Sequence, residues 1–110
     1  HGYPNLHFLL GPNTALGHNS VLYMIECQVR HLLAQRAALR RRGAHTVEPT
    51  PEAQQRFIEA IDAQFAPTAW AGGCNSWYLD ARGRNIALWT STCLAYRWRT
   101  RLRENEYRWQ

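Results

Sequence analysis

A chain of 110 residues with 13 Arg+Lys against 8 Asp+Glu carries a formal charge of +5, every one of the cations being arginine. That length holds at most one domain and buries about two thirds of the surface the unfolded chain exposes, while an all-arginine excess often reflects genome base composition, so it argues weakly for a nucleic-acid partner. Cys27, Cys74 and Cys93 form no C-x-x-C pair and have no histidine at ligand spacing, which signals neither a disulfide framework nor a zinc site, and no apolar run approaches the roughly 18 residues of a membrane span.

In chain order, His1-Gly2-Tyr3-Pro4 opens without a leader and reads as a piece of something longer. Residues 5–10, "NLHFLL", are punctuated by Pro4 and Gly11-Pro12 and predict a buried strand. From Asn19 to about Arg42, Val21, Leu22, Ile25, Val29, Leu32 and Leu33 recur at three- and four-residue steps and predict a helix with one apolar stripe. Asn19 or Ser20 caps its start; Arg36, Arg40, Arg41 and Arg42 suit its negative end, and Gly43 closes it.

"HTVEP" (45–49) alternates weakly and predicts a short strand. A second helix follows in "TPEAQQRFIEAIDAQF", with Thr50 as cap, Pro51 in the first helical position, Glu52 in the first turn, and Ala53, Phe57, Ile61 and Phe65 along one face. Residues 66–76 form a loop of small residues. "WYLD" and "NIALW" flank Ala81-Arg82-Gly83-Arg84 and predict a small hairpin, with Asp80, Arg82 and Arg84 clustered at its turn in a surface salt bridge. The tail predicts a helix over roughly 92–103. The strand at 5–10 finds a parallel partner only near 45–48, so an isolated chain is expected to expose a sheet edge and an apolar helix face.

The junction "GPNTALGHNS" (11–20) carries the chemistry. A helix start presents four N–H groups without internal partners and about half a positive charge, and the loop before it holds no carboxylate to repel an anion. Gly11 and Gly17 allow close backbone approach, Pro12 stiffens the turn, and Asn13, Thr14, Asn19 and Ser20 offer neutral hydrogen-bonding groups. Strand, turn and capped helix are also ordinary architecture; the stretch is neither G-x-G-x-x-G nor a P-loop.

"HGYPNLHFLLGPNTALGHNSVLYMIECQ" resembles the C-terminal FAD-domain segment of flavin-dependent monooxygenases of the Baeyer–Villiger and flavin-containing type, in which "G-F/Y-P-N-L-F" runs into "GPNT-x-x-G-H-N-S" and a helix with "E-x-Q". "GGCNSWYLDARGRNIALW" followed by "YRWRTR" resembles the same family's closing stretch. The resemblance implies an α/β chain, a single incomplete domain over residues 1–110 that is the partial, Rossmann-like FAD-binding domain, with two helices, short strands and a small C-terminal hairpin. It further implies an enzyme that uses FAD and NADPH, forms a flavin C4a-peroxide and transfers oxygen to a ketone, aldehyde or heteroatom substrate. It places Gly11, Pro12, Asn13, Thr14, His18, Asn19 and Ser20 against the flavin. Thr90-Ser91 stand where the family has Pro-Gly, and Ala15 and Cys27 where it often has Gly and Ala. The glycine-rich FAD and NADPH fingerprints and F-x-G-x-x-x-H-x-x-x-W are not in this chain, so the expected partner is the remainder of the flavoprotein, in a cytoplasmic setting, and the chain alone is expected neither to hold FAD tightly nor to turn over.

Other constellations read as structural. His18 lacks a neighbouring carboxylate or nucleophile and suits a pocket wall; His7, His31 and His45 are scattered. Gln28 could bond an incoming loop, or with Glu26 face solvent or a partner. Neither Cys27 nor Cys74 has a base nearby in sequence, which argues against a catalytic thiol. Trp70, Trp77, Trp89, Trp98 and Trp109, with arginine interleaved in "YRWRTRLR", leave open an alternative: a stand-alone basic module that binds single-stranded nucleic acid or docks on a partner. The other reading has the tryptophans pack on the body of the flavoprotein.

Overall fold

A computed structural model of the chain describes residues 1–15, 20–67 and 77–110. Along the chain come α1 (Val21–Arg42), β1 (Val47–Pro49), α2 (Pro51–Phe65), α3 (Cys93–Arg99), a 3-10 turn (Glu104–Glu106) and β2 (Tyr107–Trp109). This is a small α/β fragment in which β1 and β2 pair antiparallel, Val47 opposite Trp109 and Pro49 opposite Tyr107.

Local signals set the two long helices. Ser20 Oγ accepts the Tyr23 N–H at 3.3 Å, and Gly43 closes α1 in the left-handed conformation, φ 64°, with Arg40, Arg41 and Arg42 in the last turn. In α2 the Thr50 hydroxyl accepts the Ala53 N–H at 3.1 Å and Pro51 occupies the first turn. Its inner face is the expected one: Ala53, Ile61 and Phe65 are buried and Phe57 is half-buried.

As expected of the isolated chain, α1 exposes an apolar face. Met24, Cys27, Gln28, Gln35 and Ala38 point inward, whereas Leu22 is 74% and Leu33 60% exposed, with Val21 and Val29 also outward. The inner side packs on α2 and α3 around a core of Met24, Cys27, Ile61, Trp89 and Tyr96. Trp89 and Tyr96 meet edge to face, centroids 5.1 Å apart, a favoured aromatic geometry.

The predicted strand at 5–10 does not form. Asn5 sits at φ 61° and Leu10 at φ 54°, conformations Asn tolerates and Leu rarely adopts. Asn5 takes the place of a ladder at β1: its N–H donates to the Val47 carbonyl and its side-chain oxygen accepts the Val47 N–H, both at 3.0 Å. The other side of β1 is taken by β2, which lies beyond the tail helix expected over 92–103, so the expected parallel pairing of 5–10 with 45–48 is replaced by an antiparallel pairing with 107–109.

The tail helix is shorter than 92–103. After Arg99 the Thr100 hydroxyl bonds back to the Tyr96 and Arg97 carbonyls at 2.9 and 3.3 Å, and the chain then turns through 104–106 into β2. Such back-bonding by a threonine competes with helix continuation. The hairpin is reduced to one antiparallel bridge, Leu79 with Asn85, over a turn in which Gly83 adopts φ 75°. Of the loop at 66–76, residues 68–76, with Trp70 and Cys74, lie outside the described residues.

The radius of gyration is 15.0 Å, with extents of 49 × 27 × 18 Å. Globular domains of about 100 residues have values near 13 Å; the described fold is elongated and leaves much apolar surface outside.

Candidate functional site

The junction loop is held against a second segment. The Asn13 N–H donates to the Ile86 carbonyl at 3.2 Å, the Ala15 N–H to the Ala87 carbonyl at 2.8 Å, and the Trp89 N–H to the Ala15 carbonyl at 2.9 Å. Ala15 and Leu88 thus form a parallel bridge, and the true strand-like part of the junction is 13–15, not 5–10. Asn13, at φ 57°, also donates from its side chain to the Asn85 carbonyl at 2.9 Å.

Asn85 organises the other side. Buried, it donates to the Leu88 carbonyl at 2.7 Å and accepts the Leu88 N–H at 2.8 Å, which folds 85–88 into the shape the loop pairs with. Its signal in the sequence is its place in the closing stretch "GGCNSWYLDARGRNIALW".

The seven candidates divide by position. Gly11, Pro12, Asn13 and Thr14 line one wall of a cavity of about 410 Å³, together with Gln28 and His31. The Thr14 hydroxyl donates to the Gly11 carbonyl, and Gly11 lies so close to Phe8 that an added Cβ would stand 2.9 Å from the Phe8 Cβ. Ser20 lies apart from that cavity, exposed at the mouth of α1. Its oxygens take the Tyr23 and Met24 N–H groups, while no acceptor among the described residues takes those of Val21 or Leu22. His18 and Asn19 lie outside the described residues. The loop at 11–15 and Ser20 carry no charge, leaving a helix start that favours an electron-rich ligand.

Gln28 ties loop to helices. Its Oε1 accepts the Leu10 N–H at 3.1 Å and its Nε2 donates to the Tyr96 hydroxyl at 2.7 Å, so it does bond an incoming loop. Deeper in the cavity His31 Nδ1 stands 2.8 Å from the Thr100 carbonyl and His31 Nε2 stands 2.9 Å from the Tyr107 hydroxyl. A carbonyl only accepts; the neutral ring therefore carries its proton on Nδ1, and Tyr107 donates to Nε2. Burial lowers the pKa of His31 and raises those of Tyr96 and Tyr107, which keeps this inner set uncharged at neutral pH.

No protein-family model matches the sequence, and no solved structure does. The chain is 42% identical over 102 residues to a Baeyer-Villiger monooxygenase of Pseudomonas aeruginosa, covering 91% of this chain and 19% of that protein. A Baeyer-Villiger monooxygenase of Streptomyces coelicolor is 39% identical over 102 residues, 91% of this chain and 20% of that protein. An FAD-binding monooxygenase of Aspergillus niger is 37% identical over 98 residues, 84% of this chain and 16% of that protein. The chain is homologous to a segment of flavin monooxygenases. It spans about a fifth of the length of the curated relatives it matches.

In this chain several side chains that invited other readings are engaged internally. The guanidinium of Arg42 lies 5.2 Å from the Trp109 ring centroid, and those of Arg101 and Arg103 lie 5.8 and 5.5 Å from that of Trp98. Arg41 and Arg42 both pair with Glu104. Trp89 is core, whereas Trp77 and Trp98 are exposed. Cys27 is buried, and burial raises its thiol pKa. At the hairpin turn Asp80 Oδ1 accepts the backbone N–H groups of Arg82 and Arg84 at 2.8 and 2.9 Å; the expected salt bridge there is replaced by one from Arg84 to Asp62 at 2.9 Å. Among the described residues no helix is long and apolar enough to cross a membrane.

Proposed function

We propose that this chain is the C-terminal segment of a Rossmann-like FAD domain in a cytoplasmic FAD- and NADPH-dependent monooxygenase acting on a small ketone, aldehyde or heteroatom substrate. What carries the reading is the match of 42% and 39% identity over 91% of the chain to two Baeyer-Villiger monooxygenases; the uncharged helix start supports it. When bound, FAD supplies the redox chemistry and oxygen activation.

The chain's own contribution is one wall of the flavin pocket. Gly11 and Pro12 let the backbone come close, and Asn13 and Thr14, whose side chains are spent on Asn85 and Gly11, hold the loop in shape. His18, Asn19 and Ser20 border the start of α1, where the leading N–H groups and the helix dipole would stabilise negative charge on the reduced ring. NADPH contacts lie on the remainder of the flavoprotein, so the isolated chain neither holds FAD tightly nor oxidises NADPH.

The test is a graft in which this chain replaces the matched stretch of the Pseudomonas aeruginosa relative. The purified graft is expected to retain FAD, and Ser20→Asp, which brings a carboxylate to the helix mouth, to lose most of it. A folded graft without flavin overturns the proposal, as does sub-micromolar FAD affinity together with NADPH turnover in the isolated chain.

A further inference from the structure

The outer face of α1 changes character along its length. With about 100° of rotation per residue, Leu22, Val29 and Leu33 fall within about 40° of one another around the axis and about 140–180° from the fully buried Met24. Val21, Leu22, Val29 and Leu33 are all exposed. Beyond Leu33 the same line continues into Arg36 and Arg40, both solvent-facing. The apolar part runs about 18 Å from the helix start, and its flank carries the exposed Glu26–Arg30 ion pair at 3.8 Å.

A ridge of large aliphatic side chains in water that stops where arginines begin is the mark of a covered half and a wet half. It starts one residue from Ser20, at the mouth of α1. The relatives keep about four fifths of their length outside the part this chain matches, which is ample polypeptide to cover it.

We infer that Val21, Leu22, Val29 and Leu33 form the docking seam for the flavin-carrying body of the monooxygenase, with Arg36 and Arg40 marking where that body ends. The inference rests on the proposed function and names the partner surface next to its site. The seam's sign is apolar: it takes a protein surface of aliphatic and aromatic side chains, and its burial closes the same end of α1 that borders the candidate pocket. Without that cover the ridge is an association hazard for the isolated chain.

Hydroxyl-radical footprinting reads this directly. In the isolated chain Leu22 and Leu33 are reactive; in the graft into the Pseudomonas aeruginosa relative both are expected to lose most of that reactivity, whereas residues about Arg40 keep theirs. A folded graft with Leu22 and Leu33 as reactive as before overturns the seam even where FAD is retained. Protected leucines in a flavin-free graft overturn the functional reading and leave the seam standing. A second measurement covers a graft that does not fold: association in trans of this chain with the relative lacking its matched stretch. Leu22→Glu together with Leu33→Glu is expected to weaken it more than about tenfold. Association that the pair leaves unchanged, or none at all, overturns the seam, as does a homodimer of the isolated chain whose affinity for itself exceeds that for the body.

Discussion

Tyr96→Phe removes one oxygen from the core and nothing else. The ring keeps its edge-to-face contact with Trp89, so no cavity opens and no aromatic packing is lost. What goes is the acceptor that takes the Gln28 Nε2–H at 2.7 Å in a buried setting. A buried donor left without a partner costs about 1–3 kcal/mol, which in a domain of this size lowers Tm by several degrees, at about 4–8 °C per kcal/mol. Urea unfolding followed by circular dichroism is the assay: the midpoint is expected to fall with the slope unchanged. Gln28→Leu costs more, because it also strands the Leu10 N–H. The double variant is expected to be less destabilised than the two singles summed, by about 0.5–3 kcal/mol of coupling. If Tyr96→Phe lies within about 0.5 kcal/mol of the parent, the scatter of an ordinary surface change, the claim that Gln28 joins loop, α1 and α3 is wrong.

Among the described residues Met24 is the one large side chain wholly removed from water, and Met24→Ala is expected to cost about 2–5 kcal/mol in the same assay; Leu33→Gln, on the outer face, is expected to leave the midpoint unchanged and to reduce self-association in sedimentation. Thr50→Ala removes the α2 cap and is expected to cost about 1 kcal/mol, read as an earlier thermal melt. Because burial lowers the pKa of His31 from its ordinary 6.5, the unfolded chain binds the proton first as pH falls, so stability is flat above 6.5 from this group and declines below it; His31→Gln is expected to flatten that decline in pH-dependent urea titrations, and an unaltered slope would remove His31 as its source. Gly11→Ala must move Phe8 away from its Cβ and is expected to loosen the loop, seen as faster amide exchange at Asn13 and Ala15.

The sequence was legible where a signal is local. Ser20, Gly43, Thr50 and Pro51 act within one helical turn, and both long helices start, and α1 stops, within a residue or two of where those residues place them. That α1 exposes an apolar face was legible; which residues line its inner side was not. The leucines outnumber Met24 and Cys27 as apolar residues, yet which side is buried depends on where α2 and Tyr96 lie, and these come from distant sequence. β2 is three residues, Tyr107-Arg108-Trp109, whose strand state comes from pairing with Val47–Pro49 rather than from any period. Residues 5–10 misled for a similar reason: an apolar run is strand-like only if a partner strand meets it, and Asn5 meets β1 with its side chain. Of the candidate site, the loop could be read from the resemblance, whereas its pairing through 13–15 with 86–89 and the role of Asn85 emerge only in three dimensions.

The most direct measurement is a crystal structure of the flavin-loaded graft. The account predicts ring or ribityl oxygens of FAD about 3 Å from N–H groups at the start of α1, with Gly11 and Pro12 in contact beside them. A flavin bound elsewhere, with the mouth of α1 facing solvent, would contradict it.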